Sequence, residues 1–201
     1  NASQYNVDGA LNINNTTSDT VELSTLTGSG DINKSGTGIL VLGSNNGGYS
    51  GDINVNSGVL QYTNTSDSSY ITGTTNLASG SVLEYIANAD GTIAKVSGSG
   101  ILNKSGTKTL TFNAGSNTFS GTANVNAGVM NVIGNNSSAF DFNMNVNTGK
   151  LVYDAKDGSS ITVGDKLTFG TQASNATIQL NNSTYTYATE IANASGNNII
   201  F

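Results

Sequence analysis

The sequence spells nearly the same string twice. Residues 28–38 read GSGDINKSGTG, and residues 98–108 read GSGILNKSGTK. The shared glycines and serines suit tight turns, because glycine accepts backbone conformations that other residues avoid. Nothing in the string is suited to chemistry, so we interpret it as architecture.

The likeness extends well beyond this string. Residues 26–62 align with residues 96–132 without a gap, at a constant offset of 70 positions. A gapless repeat over 37 positions indicates duplicated structure, and self-similarity at a fixed period is typical of solenoids. The sequence therefore predicts a single elongated body over residues 1–201 that grows by repetition, with no linker dividing it.

Comparison of the two copies predicts which side chains point inward. Leu40 aligns with Leu110, apolar in both copies, whereas Ile39 aligns with Thr109. Side chains alternate between the two faces of a strand, so positions 40 and 110 face inward and positions 39 and 109 face outward. The same test predicts further inward pairs: Ile32 with Leu102, Leu42 with Phe112, Tyr49 with Phe119, Ile53 with Ala123, Val55 with Val125, Leu60 with Met130 and Tyr62 with Val132. It predicts as outward the pairs Asp31 with Ile101 and Val41 with Thr111.

The pattern predicts strands and turns, because no segment shows the apolar spacing of a helix. A sandwich of antiparallel hairpins would seldom keep a gapless repeat of this length. We therefore expect an all-β, right-handed parallel β-helix with ~20 to 25 residues per rung and roughly eight or nine rungs. The offset of 70 positions then corresponds to about three rungs, or ~14 Å, with equivalent residues stacked above each other.

The rest of the chain continues this pattern more weakly. Residues 76–85 resemble residues 145–153, with Gly80 over Gly149 at an offset of 69. We expect further rung strands in three segments, at 160–169, 176–180 and 197–201.

The composition narrows the function. Gly, Ser, Thr and Asn make up more than half of the 201 residues, as in turns and in strands with polar outward faces. The chain has no His, Cys or Arg, so a Ser-His-Asp triad and thiol chemistry are excluded. A net charge of −6 without a basic cluster argues against nucleic-acid binding. No run of about 18 apolar residues predicts a membrane-spanning helix.

The repeated motifs carry a family resemblance. In both copies the order is Leu/Val-x-Gly-Ser-Gly, Asn-Lys-Ser-Gly-Thr, a Leu-x-Leu or Leu-x-Phe strand, an aromatic-Ser-Gly, and Asn-Val-Asn-x-Gly-Val-Leu/Met. This order resembles the passenger-associated repeat of bacterial autotransporters, the type V secreted surface proteins of Gram-negative bacteria. The resemblance covers residues 26–62 and 96–132, about a third of the chain.

The resemblance implies a fold and a location. In that family the repeat lies in a right-handed parallel β-helix passenger, which is exported through its own C-terminal outer-membrane barrel. The chain begins at Asn1, without an initiator Met or an export signal, so we expect a segment of a longer polypeptide. The resemblance further implies a cell-surface or secreted location, with the barrel outside these residues, and most often an adhesin, aggregation factor or toxin stalk with a role in virulence.

One arrangement of reactive residues remains possible in the repeat. Lys34 with Ser35, and Lys104 with Ser105, are the neighbours from which a Ser-Lys pair would be built. Both pairs sit next to a Gly turn, and neighbours on a strand face opposite sides. We interpret them as structural.

Three other groups are weaker candidates. Asp154, Asp157 and Asp165 form the densest acidic group, a candidate calcium or glycan-cleaving site against a solvated turn. Tyr185 and Tyr187 share a strand face and are candidates to stack on a sugar, against an inward aromatic pair. Thr109 and Thr111 align with Ile39 and Val41, so no rank of threonines suited to ice binding repeats.

Two segments, residues 63–70 and 133–140, follow corresponding strands. They are predicted either as binding loops on a rigid scaffold or as plain long turns. We assign no catalytic, cofactor-binding or metal-binding residue and expect no cofactor.

We expect a structural and adhesive passenger segment, not an enzyme, with a protein or glycan receptor on another cell. The alternatives are a self-assembling fibre subunit and a carbohydrate-active β-helix enzyme.

Overall fold

The computed structural model of the chain describes residues 4–16, 19–66, 72–93, 95–114, 117–134, 142–155, 161–162, 166–170, 175–181, 185–186 and 196–201. The described residues are strand and turn, and the paired strands run parallel. The expected all-β parallel β-helix is confirmed as a parallel β-solenoid. The right-handed sense of the coil stays a prediction.

Three long sheets form the sides of the solenoid. Side 1 is a six-stranded sheet of β2 (Leu11–Asn14), β4 (Ile32–Ser35), β6 (Ile53–Val55), β8 (Thr74–Leu77), β11 (Lys95–Gly98) and β14 (Thr118–Phe119). Side 2 is a nine-stranded sheet of β1 (Gln4–Asn6), β3 (Thr20–Gly28), β5 (Ile39–Tyr49), β7 (Val59–Asn64), β9 (Val82–Ala87), β12 (Ile101–Ser105), β15 (Thr122–Val125), β17 (Asn143–Val146) and β20 (Leu167–Phe169). Side 3 is a six-stranded sheet of β10 (Gly91–Ile93), β13 (Thr109–Asn113), β16 (Val129–Gly134), β18 (Lys150–Ala155), β21 (Thr177–Asn181) and β23 (Asn198–Ile200). A separate two-stranded sheet joins β19 (Ile161–Thr162) to β22 (Tyr185–Thr186).

The chain visits the three sides in a fixed order. From β8 to β16 the successive strands lie on sides 1, 2, 3, 1, 2, 3, 1, 2 and 3. In the first turns β3 and β5 are long, and register shifts between Leu23 and Thr27 interrupt their pairing. These shifts mark a corner, so the second halves of β3 and β5 serve as the third side there, together with β1, which pairs with the second half of β3.

Side 2 gives the length of a turn. Its eight strands from β3 to β20 are separated by seven turns, and the chain as a whole makes about 7 turns. Val21 and Leu167 are the first and last members of one inward column, and their separation in sequence gives about 21 residues per turn. The expected length of a rung, ~20 to 25 residues, is confirmed. The expected eight or nine rungs differs little from the observed number of turns.

The expectation that equivalent positions of the two copies stack above each other is wrong. Leu40 lies in β5 on side 2, whereas Leu110 lies in β13 on side 3. The same displacement takes Ile32 on side 1 to Leu102 on side 2. A turn of about 21 residues has about seven per side, so the offset of 70 positions makes three turns and one further side. The second copy is therefore rotated by one side of the solenoid.

The inward and outward assignments are confirmed, because they depend on local alternation and not on the stacking. Strands β7, β9, β12 and β16 alternate between half-buried and buried side chains along their length. The predicted inward side chains of both copies are buried: Ile32, Leu40, Leu42, Tyr49, Ile53, Val55, Leu60, Tyr62, Leu102, Leu110, Phe112, Phe119, Ala123, Val125, Met130 and Val132. They belong to one continuous hydrophobic core.

Corner glycines explain why the repeat is spelled as it is. Gly36 and Gly106 both have φ of +74°, although one joins side 1 to side 2 and the other joins side 2 to side 3. The backbone of the preceding turn lies against both, since a Cβ at Gly36 would meet Asn15 O at 2.1 Å. The corners are thus alike on different sides. The suggested match of Gly80 with Gly149 is weaker, because of the two only Gly80 has a positive φ, of +81°.

The later rung strands are confirmed in place. Strands β19 and β20 lie within residues 160–169, β21 covers most of 176–180, and β23 lies within 197–201.

Candidate functional site: the lysine corners

The two repeat lysines lie inside the solenoid. Lys34 in β4 and Lys104 in β12 have no exposed surface. Each stands two positions after an inward apolar residue, Ile32 or Leu102, so strand alternation turns it into the core. Burial of a lysine is costly unless its ammonium finds hydrogen-bond acceptors, so these corners are the most unusual chemistry in the described chain.

Backbone carbonyls surround each ammonium group in the same way. Lys34 Nζ donates to Ser35 O at 2.8 Å, Gly36 O at 2.8 Å and Ser57 O at 3.2 Å. Lys104 Nζ donates to Ser105 O at 2.9 Å, Gly106 O at 3.0 Å and Ala127 O at 2.9 Å. The acceptors lie at positions i+1, i+2 and i+23 in both copies. Three N–H donors therefore meet three carbonyl acceptors, which is the full donor capacity of an ammonium group.

Burial also shifts the acid-base behaviour of both lysines. Desolvation lowers the pKa of Lys104 to about 8 and lowers the pKa of Lys34. At pH 7 the Lys104 amine is still mostly protonated and donates its hydrogen bonds, so it is not a free base.

The Ser-Lys pairs that the sequence offered are not brought together. Lys34 faces the core while Ser35 is half-buried on the outward face of the same strand. In the second copy the Ser105 hydroxyl donates to Glu84 Oε1 at 2.6 Å on that outward face. The expectation that the neighbours face opposite sides is confirmed, and this geometry supplies no lysine base to either hydroxyl.

The acidic candidates are only partly described. Asp154 lies half-buried on β18, and Asp157 and Asp165 fall outside the described residues. Within the part of the chain that the structure describes, no group of three His, Cys, Asp or Glu side chains is close enough to hold a metal ion. A calcium or glycan-cleaving site in this segment stays a prediction.

The aromatic and loop candidates also fall largely outside the described residues. Tyr185 begins β22, but its side chain and the whole of Tyr187 are not described. Of the two predicted loops, only residues 63–66 and 133–134 are described, and they include the ends of β7 and β16. Their role in binding stays a prediction.

Among the described residues, the outward threonines of β13 form no long rank. Thr111 stacks on Thr92 below it and on Asn131 above it, and Thr109 stacks beneath Val129. This agrees with the sequence analysis, which found no repeating threonine array.

Sequence analysis missed two asparagine ladders on the outward faces. On side 1 the Nδ2 of Asn33, Asn54 and Asn76 each donate to the Oδ1 of the asparagine one turn below, at 3.0, 2.9 and 2.8 Å. On side 2 the same bonds join Asn124 to Asn103 at 2.8 Å and Asn145 to Asn124 at 2.9 Å. The signal was present, because asparagines 21 positions apart, one turn, recur in both copies.

A small, partly open cavity of about 20 Å³ is lined in part by Tyr62, Thr75 and Tyr85. This volume holds roughly one water molecule, so the cavity does not accommodate a sugar or a cofactor.

These features define a class of protein: a parallel β-solenoid built from repeats of a strand and a corner. The family described as passenger-associated-transport-repeat matches residues 32–61 and 102–132, and the two matches begin 70 positions apart. The chain therefore carries two passenger-associated transport repeats in a β-solenoid, consistent with a segment of an autotransporter passenger. That family is a structural passenger repeat rather than an enzyme family, and it implies a surface or secreted segment.

The other comparisons add no relative. Neither the curated proteins nor the solved structures contain a match to the chain. Among the described residues no helix is long and apolar enough to cross a membrane.

Proposed function

We propose that the chain is a non-catalytic stalk segment of an autotransporter passenger, and that it contributes to a surface that binds a protein or glycan receptor on another cell. The observation that carries the proposal is the stack of about 7 parallel turns around one core. Each turn adds ~4.8 Å and is hydrogen-bonded to the next, so the segment acts as a stiff spacer.

The lateral surface suits a spacer that stands in water. Among the described residues the large hydrophobic side chains that are exposed are Tyr5, Ile200 and Phe201, which lie in or beside the first and last described strands. Along the sides, the asparagine ladders satisfy part of the amide hydrogen bonding between turns. The polar sides leave the stalk soluble while outward side chains contact a receptor.

A deletion of whole turns tests the stalk. Removing residues 40–101 joins Ile39 directly to Leu102. Ile39 and Ile101 lie in the same outward column, so Ile39 takes the place of Ile101 as the residue before Leu102. This deletion takes out three turns, so small-angle scattering should show a rod shorter by about 14 Å with an unchanged cross-section. A change in cross-section, or loss of the fold, would contradict the stacked spacer.

Adhesion is tested separately on the intact chain. We expect fluorescently labelled protein to bind cultured host cells or a glycan array, and to bind less after the deletion. If the protein binds neither the cells nor the array, the adhesive part of the proposal is wrong. The stalk part is tested independently by the scattering experiment. Light scattering after size exclusion, across concentration, should show a monomer, and concentration-dependent growth would favour the fibre alternative. Cleavage of acidic polysaccharides would favour the enzyme alternative.

A further inference from the structure

The lysine corners connect successive turns in one direction. Two of the three acceptors of Lys34 Nζ, Ser35 O and Gly36 O, belong to its own corner, and the third, Ser57 O, belongs to the next turn along the chain. Lys104 repeats the arrangement with Ala127 O as the acceptor from the next turn. The ammonium group is fully paired only when the following turn is in place.

The columns show that a lysine is not required simply to build a corner. Along side 1 the residue above Lys34 in the same inward column is Val55, followed by Leu77. Along side 2 Lys104 lies between Tyr85 and Val125. An apolar residue closes these neighbouring corners, so the lysine supplies something besides packing volume.

We propose that Lys34 and Lys104 are latches that make the closure of one corner depend on the docking of the next turn. Without that turn the ammonium lacks its third acceptor, and the carbonyls of the two corners are not held together. Each latch thereby couples two neighbouring turns into one opening unit. Turns with an apolar residue at that position lack this tie through the core and are coupled through backbone hydrogen bonds, packing and the outward asparagine ladders.

The two copies differ in a way that ranks their latches. In the first copy the Ser57 hydroxyl also donates to Gly36 O, at 3.1 Å, and forms a second tie between the corners. The corresponding residue in the second copy is Ala127, which has no hydroxyl. Loss of the lysine should therefore release the second corner more than the first.

Native-state hydrogen exchange on the full chain tests the proposal. The variants are Lys104→Met and Lys34→Met, which keep the length of the side chain but remove the donors. Amides of Asn126 and Val129 flank Ala127 and bond to Lys104 O at 2.8 Å and Lys108 O at 3.3 Å. We expect Lys104→Met to speed their exchange about tenfold and to leave the first corner unchanged.

The first corner gives the reciprocal result. Amides of Asn56 and Val59 flank Ser57, and we expect Lys34→Met to speed their exchange by a smaller factor than Lys104→Met produces at its own corner. The matched control is Lys108→Met at an exposed lysine, which should change neither corner.

Several outcomes would overturn the latch. If the buried ammonium only destabilises the fold, Lys104→Met should be more stable than the parent, and its amide exchange should be unchanged or slower. Uniformly faster exchange throughout the chain would also overturn it, because the effect would then be global. If Lys104→Met fails to fold, amide exchange of the parent protein at increasing denaturant concentration still tests whether the two corners open together. The Lys108 and Asn126 amides, one from each corner, should open together, and separate openings would refute the coupling.

Discussion

Substitution of the corner glycine Gly106 by alanine should separate two neighbouring turns. The residue has φ of +74°, where alanine costs about 1 to 2 kcal/mol. A Cβ there would lie 2.4 Å from Ala87 O in the preceding turn, and real Cβ contacts are essentially never shorter than 3.0 Å. The turns must move apart by about 0.6 Å, which stretches the Lys108 N to Ala87 O bond from 3.1 Å and weakens it by about 1 kcal/mol. We expect Gly106→Ala to lower the free energy of unfolding by about 3 kcal/mol in total.

Two further glycines separate the backbone strain from the contact. Gly80 has φ of +81° but open space where a Cβ would stand, so Gly80→Ala should cost only about 1 to 2 kcal/mol. Gly9 has open space and no positive φ, so Gly9→Ala should stay within about 0.5 kcal/mol of the parent. Urea unfolding followed by far-ultraviolet circular dichroism measures all three, since the chain has no Trp. If Gly106→Ala costs no more than Gly80→Ala, contact between turns does not limit this corner.

Three other predictions concern the outward ladder, the core and pH. Asn54→Ala removes two ladder bonds and should lower the free energy of unfolding in urea by about 1 to 2 kcal/mol. The control Asn12→Ala, at the exposed end of the ladder, should lower it by less than about 0.5 kcal/mol, and equal losses would contradict the ladder. Phe112→Ala should lower the free energy of unfolding by about 3 to 5 kcal/mol, because the ring is buried and its centroid lies 5.5 Å from that of Phe142. Phe112→Leu is the milder control. A loss below about 2 kcal/mol for Phe112→Ala would mean that the surrounding side chains fill the cavity. Burial lowers the pKa of Lys104 to about 8 from 10.5, so above pH 8 the unfolded state binds more protons than the folded state. The free energy of unfolding should therefore rise toward pH 10, by at most about 1.4 kcal/mol per pH unit for this lysine. Lys104→Met should flatten the rise, and an unchanged slope would assign the rise to other groups.

Local features of the fold were readable from the sequence because strand alternation is local. Comparing aligned positions separated Leu40 from Ile39, and the structure buries the first and leaves the second half-buried. The stacking of the copies was not readable in the same way. The offset between the copies fixes which corners are alike, but the length of each turn decides which side they reach. Turns on side 2 differ in length, since the step from Leu60 to Leu83 is four positions longer than the step from Val21 to Leu40.

The lysine corners show where sequence reasoning stopped short. Counting in twos from Ile32 places Lys34 inward, but the general rule that lysines are exposed opposes that count. Its acceptors are backbone carbonyls, which leave no mark in the sequence, and one of them lies 23 positions away. The structure resolves the conflict because the corner turns its carbonyls toward the core. The asparagine ladder was within reach, since Asn33 and Asn54 are separated by one turn.

The one-side rotation has a physical consequence for how such a solenoid grows. If the three sides required different side chains, a duplicated segment that is not a whole number of turns would disrupt the fold, because every following strand would join the wrong sheet. Here the following strands continue the inward columns, since the repeat carries with it both its alternating inward side chains and its corner glycine. Gly36 and Gly106 adopt the same φ on different sides, and Lys34 and Lys104 bind the same three kinds of carbonyl there. The same strand and corner therefore fit on different sides, and the unit that this duplication preserves is one strand with its corner, a third of a turn, rather than a whole turn.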